Sequence, residues 1–508
     1  MSDNKRIAKN TLFLYFRMIL IMGVTLYTSR VVLDKLGIDD FGLFQVVGGV
    51  VGILSFLNGT LSSGTSRFLT YELGTGNLEM LKRTFSTGFY THVILALIVI
   101  VVMETGGLWF LYNKLVIPPD RFDACFWVFQ LSIFATFLSI IQVPYTATIM
   151  AHEQMGVYAF ISIFESFAKL GICYLLSVSP IDRLVLYALL TALVQFFVMF
   201  FYWLYSIKRF VEAKLLLVFD KGILKSMLGF SGWNVLANIS NMLGQQGTLV
   251  LINMFFLPFV VTAQAIAGQV SGAIMQFVNS FRTAINPQVI KQYAAGDYNS
   301  SQKLTLQTTV LSFDLVLLLG LPAIIVMDRV IHIWLVDVPD YAVVFTQWII
   351  ARQIIGIFNA SFYTPMMAAN KMKWNSIAST FLCIGEFVLL FFLFKMGLGP
   401  MWIQYLGVVV VSLFAFIIKP WILIREIEYN LKDIIRCYVI CFKTLVLSLI
   451  ISLIPVYFLT DSITHSLIKV CISGFAVCFS SYFFMGKQIK DKINAYIVSK
   501  IVDYKNNK

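Results

Sequence analysis

Apolar runs long enough to cross a bilayer recur along the whole chain, separated by short segments that hold most of the charges. Their length and composition predict fourteen helices, over 10–33, 41–69, 84–112, 122–150, 155–178, 183–206, 226–256, 259–287, 303–327, 341–370, 374–396, 399–424, 437–459 and 464–485. The expected class is an all-α polytopic membrane protein with 14 transmembrane helices. No polar segment exceeds about 30 residues, which leaves no room for a soluble domain. The first run, Thr11 to Leu33, is too long for a signal h-region and no small-residue cleavage site follows, so it is expected to be the first span.

One stretch departs from this pattern. Phe230 to Leu251 has spanning length, yet it carries Asn234, Asn238, Asn241 and Gln245. Spacings of four, three and four place these amides on one face of a straight helix. An unpaired amide facing lipid costs several kcal/mol, so the face is expected to line a wet cavity or to act as interhelical glue. A second stripe runs along helix eight through Gln269, Gly272, Gln276, Asn279 or Ser280, and Thr283. Helix two offers Gln45, Gly49, Gly52, Phe56, Gly59, Ser63 and Arg67, whose glycines equally suit close helix packing.

The chain has 508 residues, 59% hydrophobic and only 13% charged, against about 25% charged in a soluble domain. A net charge of +12 raises nucleic acid as a partner, but the positions of the charges argue against it. Five Lys or Arg lie in Lys208–Lys225 and six in Lys487–Lys508, both on the side that an even helix count assigns to the two termini. The basic surplus is therefore a topology signal, with both termini in the cytoplasm. The tail from Lys487 is expected to lie helically along the membrane surface, near anionic lipid.

The chain also repeats itself weakly. Gln45-Val46-Val47-Gly48 shifts by 220 onto Ala265-Ile266-Ala267-Gly268, and Gly76-Asn77 onto Gly296-Asp297. Met150-Ala151-His152-Glu153-Gln154-Met155 matches Met367 to Met372 at a shift of 217. Six helices between copies predict two pseudo-symmetric six-helix lobes, 1–212 and 213–425, related by an axis along the membrane normal. Lys208–Lys225 links them, and 426–508 adds two C-terminal transmembrane helices and the basic tail. A parallel repeat of this kind brings helices one, two, seven and eight around one central cavity.

Hydrolytic and redox motifs are absent. There is no Walker A sequence, HExxH or GxSxG, and His152-Glu153 has no partner at metal spacing. None of the seven cysteines forms a CxxC pair, and most sit in apolar runs as small hydrophobes. A transporter is expected, with no catalytic residue, metal or resident cofactor. The candidate chemistry lies in charges within apolar helices. Arg17, Arg30, Arg67 and Arg282 suit a phosphate or diphosphate, which arginine grips bidentately. Snorkelling to headgroups is the alternative for Arg67 and Arg282. Glu165 and Lys169, four apart, are expected to pair structurally. Asp314 and Glu386 are candidates for coupling H+ or Na+, or else pair with lysines or amides elsewhere in the bundle.

Arg6 to Thr11 with Arg17, Ser29-Arg30-Val31-Val32-Leu33, Leu36-Gly37 and Phe41-Gly42 resemble the start of Wzx-type polysaccharide (O-antigen) flippases. Phe230-Ser231-Gly232-Trp233-Asn234, Ala284-Ile285-Asn286-Pro287-Gln288 and Ala294-Ala295-Gly296-Asp297 resemble their second half. The resemblance implies the multidrug/oligosaccharidyl-lipid/polysaccharide exporter superfamily, two six-helix lobes and alternating access in the bacterial inner membrane. It implies a polyprenyl-diphosphate-linked oligosaccharide as substrate, flipped outward for cell-surface polysaccharide or lipopolysaccharide. On that reading Arg17, Arg30, Arg67 and Arg282 hold the diphosphate, and Asn234, Asn238, Asn241, Gln245, Gln269, Gln276 and Asn279 meet the sugar. The expected partners are membrane lipid, a polysaccharide polymerase and glycosyltransferases, for a monomeric chain. The extra helix pair after Arg436 resembles that of lipid II flippases, which keeps a peptidoglycan precursor as an alternative substrate. A cation-coupled drug exporter of the same fold is a further rival, disfavoured because helices one, two, seven and eight hold no internal Asp or Glu. A membrane polymerase or ligase would need a large outward loop, and every predicted outward loop is short.

Overall fold

Capping residues, glycines and prolines divide the apolar runs into helices. In the computed structural model the described residues are 3–152, 154–178, 180–225, 227, 242–459, 462–484 and 490, and the side chains at 3–17, 55–64, 155, 178, 283–284 and 287 fall outside that description. The helices are α1 (Asp3–Leu36), α2 (Ile38–Gly52), α3 (Phe56–Thr75), α4 (Leu78–Val102), α5 (Leu108–Asn113), α6 (Phe122–Ala151), α7 (Met155–Val178) and α8 (Arg183–Arg209). There follow α9 (Thr248–Phe255), α10 (Pro258–Ala294), α11 (Tyr298–Ile325), α12 (Met327–Trp334), α13 (Ala342–Ser361), α14 (Tyr363–Ala368), α15 (Lys373–Lys395), α16 (Trp402–Leu413), α17 (Lys419–Ile427), α18 (Leu431–Phe458) and α19 (Ile463–Phe484).

Among the described residues, eleven stretches are long and apolar enough to span a membrane, and they coincide with eleven of the fourteen predicted helices. The other three predictions, helices one, two and seven, overlap residues outside the description. Predicted helix two divides into α2 and α3 at a 3₁₀ turn, Ile53–Ser55, directly after Gly48, Gly49 and Gly52, which weaken an α-helix. Predicted helix ten breaks at Phe362, between α13 and α14. There Pro365 withholds the N–H that the Ser361 carbonyl would accept. Predicted helix twelve is interrupted by a π turn, Phe414–Ile418.

The weak sequence repeat reappears as two pairs of matching turns. Gly76 and Gly296 both adopt positive φ, at 73° and 79°, where glycine carries no Cβ penalty. Asn77 then caps α4 through Met80 N at 3.0 Å, and Asp297 caps α11 through Ser300 N at 3.1 Å. At the second pair, Gln154 N donates to Ile149 O at 3.0 Å, and Lys371 N to Met366 O at 2.9 Å, 217 residues later.

The helices group into two compact units. The first comprises Met1–Gln269, Trp334–Phe345 and Lys373–Leu406. Here α6 packs on α2, α3, α4 and α8. Phe85, Tyr145, Ile149, Leu176, Val198 and Tyr202 form its buried apolar cluster, with the Phe85 and Tyr145 rings 5.6 Å apart. Gly42 of α2 lies so close to Pro258 that a Cβ would stand 2.3 Å from the Pro258 carbonyl oxygen. Thr262 Oγ1 closes the same contact by donating to Ile38 O at 2.6 Å.

The second unit comprises Val270–Ile333, Thr346–Met372 and Gly407–Lys508. In it α11, α18 and α19 pack mutually. Phe358 of α13 meets Phe313 of α11 at 5.5 Å and Tyr438 of α18 at 4.7 Å. The Tyr438 hydroxyl donates to Ala415 O inside the π turn at 2.7 Å.

Candidate functional site

In the second unit, α10 is tied to α13 and α14 at three successive levels. Gln353 Nε2 donates to Ser271 Oγ at 3.0 Å, Arg282 donates to the carbonyl oxygen of Ala360, and Thr364 Oγ1 donates to Asn286 Oδ1 at 3.0 Å. Residue numbers rise together on both sides, so the two helices run parallel. Of the three contacts the middle one carries a charge. Arg282 is 9% exposed, and no carboxylate reaches it among the described residues. A guanidinium has five donors, and one neutral carbonyl leaves most of that capacity for another acceptor.

A second cation lies nearby. Lys419 is 1% exposed, its Nζ is 5.2 Å from the centre of the Phe414 ring, and its charge is repelled by that of Arg282. It follows the π turn at once, and a π turn re-aims the side chains after it by inserting one residue. Two polar atoms on the same turn of α13, Asn359 Oδ1 and Ser361 Oγ, are buried without a hydrogen bond. Two buried positive charges within repulsive reach of each other make this region suited to an anion. Sequence reasoning passed over Lys419. A lysine beside a proline near the end of an apolar run reads as one more topology charge, and only the π turn directs it inward.

The other predicted residues fall as follows. The Arg17 side chain and Asn234, Asn238 and Asn241 lie outside the described residues. Arg30 is half-buried and Arg67 exposed, each with a partner, and both belong to the first unit. Gln245 is exposed, within a π turn over Leu243–Gly247. A π turn inserts one residue, about 100° of angular phase. The neighbouring Gln246 packs on Gly49 and Gly52 instead, which gives those glycines the close-packing role. Gln269, in the first unit, is half-buried with its Oε1 unpartnered, whereas Gln276 and Asn279, in the second, are exposed. Glu386 is half-buried on α15 and has a partner. Asp314 is 8% exposed on α11, in the second unit. Glu165 and Lys169 pair at 2.6 Å, as their spacing predicts.

The first unit holds two polar centres that the sequence did not reveal. Arg121 bridges two carboxylates. Its Nε donates to Asp40 Oδ1 at 2.9 Å, and its Nη1 to Asp182 Oδ2 at 2.6 Å. Burial raises the Asp40 pKa despite the arginine. Burial acts the same way on Asp182, but the Arg121 hydrogen bond and the Val185 and Leu184 N–H groups outweigh it and lower its pKa. The second centre joins His152 Nε2 to the buried carboxylate of Glu212 at 2.5 Å, with the imidazole stacked on Phe210. Leu216 N and Asp220 N donate to Ser86 Oγ and Thr87 Oγ1, at 2.9 and 3.1 Å. The segment predicted to link the lobes is thereby held against α4 and α6.

No family model matches the chain, and no curated protein matches it in sequence. Solved structures do match its fold. An inward-facing multidrug resistance MATE family transporter of the MOP superfamily superposes with TM-score 0.65 at 13% identity, covering 80% of this chain and 98% of its own. The lipid II flippase MurJ, in an inward closed conformation, gives TM-score 0.63 at 14% identity, covering 93% of this chain and 98% of its own. A MATE protein in complex with MaL6 gives 0.60 at 12% identity, covering 82% and 95%. The chain therefore has the all-helical fold that MATE transporters and MurJ share.

Proposed function

We propose that the chain is a flippase that carries a polyprenyl-diphosphate-linked oligosaccharide from the cytoplasmic to the outer leaflet by alternating access, for cell-surface polysaccharide. The observation that carries this reading is the Arg282–Lys419 pair. A buried double cation suits a doubly charged diphosphate, with Arg282 binding bidentately and Lys419 as a point charge. The fold shared with a lipid flippase supports it. So does coverage: the lipid II flippase matches 93% of this chain and the multidrug transporters 80–82%, a difference comparable to the terminal helix pair. Arg17, Arg30 and Arg67 are proposed as further diphosphate contacts along the transport cycle. The amides at 234, 238, 241, 245, 269, 276 and 279 are proposed to meet sugar hydroxyls, and a polymerase and glycosyltransferases are the proposed partners.

An inside-negative potential favours the movement outward, by about 2.3 kcal/mol per uncompensated negative charge per 100 mV. The test is export of surface polysaccharide in a strain lacking its own flippase. The intact chain is expected to restore export, and Arg282→Ala to abolish it at unchanged membrane level. Restoration of peptidoglycan synthesis in a strain lacking its lipid II flippase, without polysaccharide export, would assign the alternative substrate.

A further inference from the structure

The three helices that pack together here, α11, α18 and α19, bury polar side chains as well as apolar ones. Thr444, Ser448 and Ser452 recur every four residues along α18, all at 0% exposure, and none of their hydroxyls is hydrogen bonded. Ser480 of α19 and Ser312 of α11 are likewise fully buried and unbonded. Small hydroxyl residues alone would serve helix packing. Asp314 adds something that packing does not require. Its Oδ2 accepts from Ser481 Oγ of α19 at 2.5 Å, while its Oδ1 is buried with no partner.

We propose that Asp314 is a proton-binding site, taking a proton on Oδ1 while Ser481 holds Oδ2, at the joint between α11 and the terminal helix pair. The surroundings select a proton over a metal cation. Ser481 donates toward Oδ2, so its hydrogen occupies the position a cation would take. From α18 the thiol of Cys441 lies within reach of Asp314, and a thiol is a poor ligand for hard cations. Cys437 itself is turned to Leu306 O, at 3.8 Å. From α19 the buried cation is Lys469, twelve residues before Ser481 and so about 18 Å away along the helix. The titratable residue of α14, which also packs on α11, is Tyr363, 36% exposed. Arg352 of α13 lies against Gly407 instead.

Lys443 of α18 holds its ammonium 6.0 Å from the centre of the Phe484 ring. Among the described residues no cation pairs with Asp314, and an unpaired buried carboxylate is costly. A proton drawn from water adds to Oδ1, removes that charge and turns the unpartnered acceptor into a donor, with no other bond broken. Its use as a coupling step rests on the flippase reading, whereas proton binding itself does not.

The experiment is infrared difference spectroscopy on the full chain in lipid nanodiscs, comparing acidic and alkaline buffer over about pH 5 to 9. A carbonyl band of a protonated carboxyl group is expected at acidic pH, lost at alkaline pH and missing from Asp314→Asn. Ser481→Ala, which keeps the carboxyl group, is expected to shift the band by removing its hydrogen bond, and it carries the test if Asp314→Asn does not fold. A difference spectrum without such a band, or one unchanged by Asp314→Asn, would overturn the proposal and leave Asp314 as a fixed tie between helices.

Discussion

Arg282 gives its guanidinium to the carbonyl oxygen of Ala360, so a buried charge on α10 rests on a neutral acceptor of α13. The second buried charge, Lys419, adds repulsion. An arginine serving only as a helix tie would gain from a carboxylate partner, and none reaches it among the described residues. The pair therefore separates two accounts of Arg282. If it holds a diphosphate, Arg282→Lys keeps the charge, loses the fork and leaves partial export. Arg282→Ala removes export, and Lys419→Met lowers it several-fold, all at unchanged protein level. If Arg282 only anchors to headgroups, lysine is fully tolerated and alanine nearly so.

The Arg121 bridge predicts a measurable loss of stability. Arg121→Ala leaves Asp40 and Asp182 side by side without their cation and is expected to cost on the order of 2 kcal/mol, read as a lower thermal midpoint in detergent. The acid response has a definite sign. The Asp182 pKa is lowered in the fold, so its contribution is present above the ordinary carboxylate pKa of 3.8 and fades as pH falls below it. Asp40, with a raised pKa, acts oppositely: its charged form opposes folding, and acid relieves that cost. Asp182→Asn is therefore expected to flatten the acid limb of the stability curve, and a limb unchanged by it would refute the assignment.

Gly42 supplies a packing test. A methyl group there meets the Pro258 carbonyl oxygen at 2.3 Å, and a backbone atom cannot swing aside as a side-chain end can. Gly42→Ala is expected to destabilise by about 1–3 kcal/mol. At Gly48 the nearest atom to an added Cβ is Ser132 Oγ at 3.8 Å, so Gly48→Ala should leave the thermal midpoint close to wild type.

What the sequence conveyed followed from regular spacing. Eleven predicted helices coincide with spans because long apolar runs fix them, and Glu165–Lys169 pair because four residues make one turn. Irregularity and distance hid the rest. Two π turns, at Leu243–Gly247 and Phe414–Ile418, defeat the count of residues per turn. Gln245 lies within the first, and Lys419 directly follows the second. Arg121 meets carboxylates 81 and 61 residues away, and Asp314 meets Ser481 across 167, separations no local pattern encodes.

The orientation has its own readout. By their basic charge, a reporter fused in either Lys208–Lys225 or Lys487–Lys508 is expected to report the cytoplasmic side. A periplasmic signal from either fusion would overturn the fourteen-helix topology.

Transport of a lipid-linked diphosphate oligosaccharide is read as flipping in vesicles that hold the purified protein. A polyprenyl-diphosphate oligosaccharide is placed in one leaflet, and its arrival in the other is read by a lectin confined to that side. Protein-dependent arrival is expected, lost with Arg282→Ala and reduced several-fold with Lys419→Met. Arrival at the same rate from vesicles holding Arg282→Ala as from those holding the intact chain, or no faster than from protein-free vesicles in either case, would contradict it.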